Sequence, residues 1–167
     1  MSNYHFDFQK FSIIQEHSAM KVGTDGVLLG AWANLPNLPF SESFHPRILD
    51  VGTGTGVIAL MLAQRFPEAL IDAIEIDHEA AKEAKLNAKN SPWKDRIKVI
   101  ETSLEDFIPE TKSYDLIVTN PPFYNATLKP EDEARAAARH YDSLPFSDIT
   151  EFSDKYINDN GILAVIY

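Results

Sequence analysis

The stretch that most constrains this chain is Asp50-Val51-Gly52-Thr53-Gly54-Thr55-Gly56. A short apolar run, Ile48-Leu49, precedes it, and an apolar, helix-compatible run from Val57 to Ala63 follows. The pattern reads as strand, glycine turn, helix. Glycine takes positive φ freely and lets the backbone approach a ligand closely. The new helix then offers unpaired N–H groups at its start. Asp50 stands at the strand's end, where it either fixes the turn or meets a cationic group. The spacing is G-x-G-x-G and not the dinucleotide G-x-G-x-x-G, so the turn alone also fits a purely structural connection.

Two further features narrow the ligand and the chemistry. A second apolar segment, Leu70 to Ile76, carries Glu75 near its end, 19 residues beyond Gly56. An acid at about that distance commonly bonds ribose hydroxyls, which points to nicotinamide or S-adenosylmethionine sites alike. Asn120-Pro121-Pro122-Phe123 follows a third apolar run, Tyr114 to Thr119. The Asn120 side-chain oxygen and the Pro121 carbonyl can both accept from an exocyclic amino group. The two prolines fix φ and hold those acceptors rigidly, and Phe123 offers a flat face for a base. An oxidoreductase has no evident use for this motif; methyl transfer to a planar nitrogen does. The plain alternative is that Asn-Pro-Pro simply ends a strand.

Beyond these motifs the chain alternates. Strands are expected at Ile48–Val51, Leu70–Ile76, Ile97–Ile100, Leu116–Thr119 and Ile162–Ile166, with helices at Val57–Arg65, Glu79–Asn90 and Ile149–Asn158. A short helical turn is expected at Leu104–Phe107, and Asp77 is placed to cap the second of those helices. Such alternation implies an α/β fold with a mostly parallel twisted sheet and helices on both faces. Ligands in such sheets sit at the carboxyl ends of strands. Gly52, Glu75, Ser103 and Asn120 all fall there, after four successive strands.

Ahead of this core, residues 1–45 read as an extension and residues 46–167 as the core itself. In the extension, alternation from Tyr4 to Phe8 suggests a half-buried strand. A turn-rich loop leads to a helix over Val27–Ala33 that Thr24 or Asp25 could cap, and Asn34 to Ser43 is a loop. After Phe123, the alanine-rich stretch Glu131 to His140 is helix-compatible, with Arg135 and Arg139 on one face. The closing run, Gly161 to Tyr167, reads as a buried strand with nothing after it, so further strands are expected beyond it.

Composition limits the remaining classes. At 167 residues one domain with a real core is expected. Without cysteine there is no disulfide, thiolate chemistry or cysteine-held metal, and the five histidines show no metal spacing. No run approaches the roughly 20 apolar residues of a membrane span, and the N-terminus lacks a signal-peptide shape. The default is a cytoplasmic protein without a metal. A net charge of −10 sits awkwardly with nucleic-acid binding, although local patches matter more than the sum.

Asp50 to Gly56, Glu75 and Asn120 to Phe123 together resemble the class I S-adenosylmethionine-dependent methyltransferases of the "methyltransferase small" group. The block Phe8-Gln9-Lys10-Phe11, with Ala19 to Trp32, is similar to the valine-tRNA adenine-N6 methyltransferases, which modify the purine beside the anticodon. The Ser91-Pro92-Trp93 turn and Ala138-Arg139 resemble them too. The resemblance implies a Rossmann-like methyltransferase fold whose last strands are missing here. It implies S-adenosylmethionine as cofactor, held by Asp50, Gly52, Thr53, Gly54, Gly56, Glu75, Ser103 and Asn120. Catalysis would rest on Asn120, Pro121 and Phe123. An RNA, the anticodon loop of a tRNA, would be met by Pro122, Phe123, Lys21, Arg135 and Arg139, with Lys10 and Lys129 completing a basic rim. Two positions depart from the common pattern: Phe123 stands where Tyr is frequent, and Ser103 where Asp often bonds the cofactor's adenine. Guanine N2 of ribosomal RNA, a protein glutamine amide, or a catalytically idle cofactor-binding module remain alternatives.

Overall fold

The computed structural model describes residues 4–36, 44–109, 114–121 and 144–166. The expectations that fall on Pro122, Phe123, Lys129, Arg135, Arg139 and the Glu131–His140 stretch lie outside the described residues.

The core is a five-stranded, all-parallel sheet. Its strands are β3 (Arg47–Val51), β4 (Leu70–Glu75), β5 (Ile97–Glu101), β6 (Tyr114–Thr119) and β7 (Ile157–Val165). Their order is β5-β4-β3-β6-β7. The chain therefore winds outward from β3 through β4 to β5, then returns to pair β6 with the other side of β3. Between β3 and β6 lies the topological switch point, where open α/β sheets place their ligands.

Central strands of a parallel sheet are covered on both faces and read as nearly continuous apolar runs. Every residue of β6 is buried, as are four of the five in β3. Alternate side chains feed two cores. Ile48, Ile71, Ala73, Leu116 and Val118 pack with α2 (Val57–Arg65) and α1 (Thr24–Trp32). Leu49, Val51, Ile74 and Ile117 face the other way, toward Leu104, Phe107 and α4 (Phe146–Tyr156). The second crossover helix, α3 (His78–Lys89), starts one residue before the expected Glu79, just after Asp77, whose carboxylate accepts the Ala80 N–H at 2.8 Å and caps it as expected.

The N-terminal segment forms a separate two-stranded hairpin, β1 (His5–Asp7) with β2 (Ser12–Ile14), followed by α1. Phe11, Ile13, Leu29 and Ala33 belong to the same apolar cluster as α2 and β3. The hairpin is tied to α3 by side chains from the far side of the sequence. Asn87 accepts the Ile14 N–H and donates to the carbonyls of Ile14 and Thr55. Glu83 accepts from the N–H groups of Glu16, His17 and Ser18 and from the Ser18 hydroxyl. Burial would raise the Glu83 carboxyl's pKa, but these hydrogen bonds outweigh it and hold the group below the ordinary carboxylate range.

Four local expectations are corrected. β1 is exposed throughout and not half-buried, because it is the outer strand of a two-stranded hairpin whose other strand, β2, packs on the core. Neither Thr24 nor Asp25 caps α1: the helix already includes both, and Gly23 takes the cap position with no side-chain bond. Leu104–Phe107 is a turn and not helix. The last helix ends at Tyr156, and β7 begins at once at Ile157. The strand starts early because its first residues bulge: Ile157 faces Tyr114, while Ile162 faces Leu116. Gly161 fills the irregularity, since a Cβ there would lie 2.5 Å from Ile157 Cγ1 and 2.9 Å from the Tyr114 carbonyl oxygen.

Candidate active site

The carboxyl ends of four strands meet through backbone and side-chain hydrogen bonds. The N–H groups of Gly52 and Thr53 both donate to the Ile74 carbonyl at 3.0 Å, joining the glycine turn to the end of β4. Thr102 N–H donates to the Glu75 carbonyl, bringing in β5, and the Thr119 hydroxyl donates to the Val51 carbonyl, bringing in β6. Gly52, Glu75, Ser103 and Asn120 thus share one end of the sheet.

Within the turn, Gly52, Gly54 and Gly56 have φ of 68°, 53° and 83°, the left-handed region that side chains with a Cβ rarely adopt. A Cβ on Gly52 or Gly54 would meet nothing within 4 Å, so the turn faces open space. Gly56 differs: a Cβ there would be in ordinary contact with Ala84 of α3 at 3.6 Å, so this glycine faces α3 and not open space.

Asp50 fixes this turn. Fully buried, it accepts from the Thr53 hydroxyl at 2.6 Å and from the Ala59 N–H at 3.1 Å. Its other oxygen, Oδ1, has no partner among the described residues. Desolvation is the dominant influence on its acidity and pushes its pKa up to about 7; the two hydrogen bonds oppose this and nearby Glu75 adds to it. Of the two roles open to Asp50, the structure supplies the first; no cationic partner meets it among the described residues.

Glu75 is also nearly buried, and each carboxylate oxygen holds one backbone N–H: Oε2 that of Gly54 at 2.8 Å, Oε1 that of Asp77 at 3.0 Å. A carboxylate oxygen carries two acceptor sites, so one on each stays available. Ser103 is less free. Its hydroxyl donates to Asp106 Oδ2 at 2.8 Å and accepts the Asp106 N–H. Asp106, which the sequence did not single out, is thus the partner of the Ser103 hydroxyl, five residues beyond the end of β5.

Asn120 is held half-buried just beyond β6, and its side-chain oxygen is buried without a hydrogen-bond partner among the described residues. Native proteins rarely leave such an acceptor unpaired. Pro121 beside it is buried. Gly26 of α1 comes close: a Cβ there would sit 3.9 Å from Asn120 Nδ2 and 3.5 Å from Val57 Cγ1. The N-terminal extension thus reaches the site through Gly26. Lys21, expected near an RNA, has its ammonium 5.3 Å from the centre of the Tyr4 ring.

The family model of the methyltransferase small domain matches residues 27–139. The chain belongs to this family. Relatives carry a more specific name. The tRNA1(Val) (adenine(37)-N6)-methyltransferase of Flavobacterium johnsoniae is 52% identical over 162 residues, covering 96% of this chain and 66% of its own length. The enzyme of that name from Trichodesmium erythraeum is 47% identical over 170 residues, covering 100% and 68%. The chain thus spans about two thirds of the length of the curated relatives it matches. Among solved structures, human methyltransferase 10 domain containing protein superposes with a TM-score of 0.54 at 20% identity, over 84% of this chain and 63% of that one. A geranyl diphosphate methyltransferase reaches a TM-score of 0.58 at 13% identity, over 84% and 42%. These two likenesses show the Rossmann-like methyltransferase fold. Among the described residues no group of three or more acidic, histidine or cysteine side chains could hold a metal, and no helix is long and apolar enough to cross a membrane.

Proposed function

We propose that this member of the methyltransferase small family transfers a methyl group from S-adenosylmethionine to the N6 amino group of an adenine in a tRNA, in the cytoplasm. The name shared by its relatives makes that base adenine 37, beside the anticodon, in a valine tRNA. The observation that carries the reading is the Asn120 side-chain oxygen at the switch point, buried and unpartnered among the described residues, next to Pro121.

The residues present fit the cofactor. The space in front of Gly52 and Gly54 admits its backbone-hugging portion, and Glu75 keeps acceptor sites for two ribose hydroxyls. When bound, S-adenosylmethionine supplies a methyl group already attached to a good leaving group. The protein's share is therefore chiefly position, and holding two reacting groups in register contributes roughly 7–11 kcal/mol. Asn120 Oδ1 and the Pro121 carbonyl accept the two amino hydrogens of the target base. That draws the nitrogen lone pair out of conjugation with the ring and stabilises the positive charge that develops on it. No general base is required if the extra proton leaves to water after transfer. An unpaired loop adenine costs less to extract than a base-paired one.

The test is incubation of the purified protein with S-adenosylmethionine and RNA from a strain lacking the modification, followed by nucleoside mass spectrometry. N6-methyladenosine is the expected product. N2-methylguanosine, or label in protein alone, would replace the base assignment. Asn120→Ala is expected to lower kcat by about 10²–10³-fold while the calorimetric Kd for S-adenosylhomocysteine stays within about threefold of wild type; unchanged turnover would remove Asn120 from the reaction.

A further inference from the structure

Six of the chain's 15 lysines and arginines fall between residues 82 and 98, against two of its 25 acids. The structure sharpens this imbalance. Of the two acids, Glu83 is turned inward and clasped by the backbone of residues 16–18. Arg96 is also spoken for: its guanidinium donates to the carbonyls of Ala63, Phe66 and Ala69. What remains outward is Lys82, Lys85 and Lys89 on α3, Lys94 in the following 3₁₀ turn (Lys94–Arg96) and Lys98 on β5, all exposed, with Asp95 among them.

Residues three and four apart share a helix face, so Lys82, Lys85 and Lys89 form one stripe. The stripe begins five residues after the Asp77 cap, hence near Glu75, and runs away from the site along a helix about 18 Å long. At its far end, Lys85, Lys89 and Lys94 line a concavity of about 330 Å³, floored by Ala88, Ile97 and Val99 and edged by Asp95. Lys82 and Lys85 have acidic neighbours at 3.9 and 3.8 Å, Glu79 and Glu101; such exposed pairs are weak and easily exchanged for another anion. Lys89 and Lys94 have no acidic partner within 4.0 Å among the described residues.

We propose that this lysine-lined edge, from α3 to the start of β5, is a docking surface for the phosphodiester backbone of the RNA. It rests on the functional reading above, in which a nucleotide of that RNA enters the site. The proposal accounts for how a chain of net charge −10 engages a polyanion: lysines outnumber the few acids along this one edge, and Glu83 there is turned inward. A stem continuing from the loop that carries the target base would follow the stripe. Phosphate contacts of this kind set register and affinity without reading sequence.

The experiment compares wild type with Lys89→Glu/Lys94→Glu and with the charge-conserving Lys89→Arg/Lys94→Arg. Each is titrated against a fluorescent tRNA transcript between about 50 and 200 mM salt by anisotropy, and assayed for methyl transfer to the same transcript. The reversed variant is expected to bind about tenfold more weakly at 100 mM salt and to lose about two from the magnitude of the log–log salt slope. The arginine variant should match wild type, and all three should bind S-adenosylhomocysteine equally. An unchanged slope in the reversed variant overturns the surface, whatever the methylation result. So does wild-type binding to phosphatidylserine vesicles that exceeds its binding to RNA. Slope loss without any methyl transfer by wild type keeps the surface and rejects the functional reading. Wild type that neither binds nor methylates RNA rejects both.

Discussion

At Asp50 a single carboxyl carries two consequences of burial. It organises the glycine turn by accepting from Thr53 and Ala59, and it holds its proton to about pH 7. The ordinary value for the unfolded chain is 3.8. Between those two pH values the unfolded chain has released a proton that the folded chain still binds, so stability attributable to this group falls as pH rises. Asp50→Asn keeps an oxygen for both donors and removes the titration. Urea unfolding of the cofactor-free protein should show the wild-type midpoint declining from about pH 5 to about pH 7.5, with a flatter profile in the variant; parallel profiles would assign the proton elsewhere. Glu75 makes a separate prediction. In the proposed reading Glu75→Ala withdraws a charged acceptor from two ribose hydroxyls, an interaction of about 1.5–3 kcal/mol. Calorimetry with S-adenosylhomocysteine should therefore show at least about a tenfold weaker Kd.

Among the elements, α3 joins parts of the chain that are far apart in sequence. Glu83 and Asn87 are one turn apart, and together they fasten the hairpin's exit and the carbonyl of Thr55 in the glycine turn. Glu83→Ala strands three backbone N–H groups and should cost about 3 kcal/mol or more in chemical unfolding. In Glu83→Gln the acid sensitivity should also weaken. The carboxyl's lowered pKa means that its contribution is present above the ordinary value of 4.5 and is lost as pH falls through the folded value. A stability profile between about pH 3 and 5 that matches wild type would contradict this. The same helix shows why legibility was uneven. The glycine turn, Asp77 and the central strands could be read directly, because the signals lie within a few consecutive residues. Glu83 could not: its partners lie 65 to 67 residues earlier, and in the sequence it is one more helix charge. The start of β7 was hidden for a related reason. The sequence pattern carries the helix on to Asn158, yet Asn158 donates to Asp115 of β6 and Gly161 permits the bulge. Asn120 was identifiable as a motif, while its unsatisfied oxygen and its approach to Gly26 needed coordinates.

For the whole molecule, the ligand-facing end of the sheet is assembled from four crossovers, so occupancy by the cofactor should stabilise the fold globally. At a hundredfold excess over Kd, linkage gives about 2.7 kcal/mol, and at this chain length each kcal/mol raises Tm by about 2–4 °C. A rise of about 5–11 °C with S-adenosylhomocysteine, and none with NAD, is the expected result of a thermal scan. The strand order has another bearing, on the sequence of events as the chain is made. β3 pairs with β4 across a short crossover, but its pairing with β6 joins residues 68 apart, Val51 to Thr119. A ribosome releases the chain from its N-terminus, so β3, α2, β4, α3 and β5 emerge before β6 exists. The cradle around Gly52 and Glu75 is thus available for assembly first, and Asn120 arrives afterwards as β6 docks against a waiting edge of β3. A nascent chain of this protein gains its nucleotide-shaped hollow before it gains the group that would make the hollow reactive.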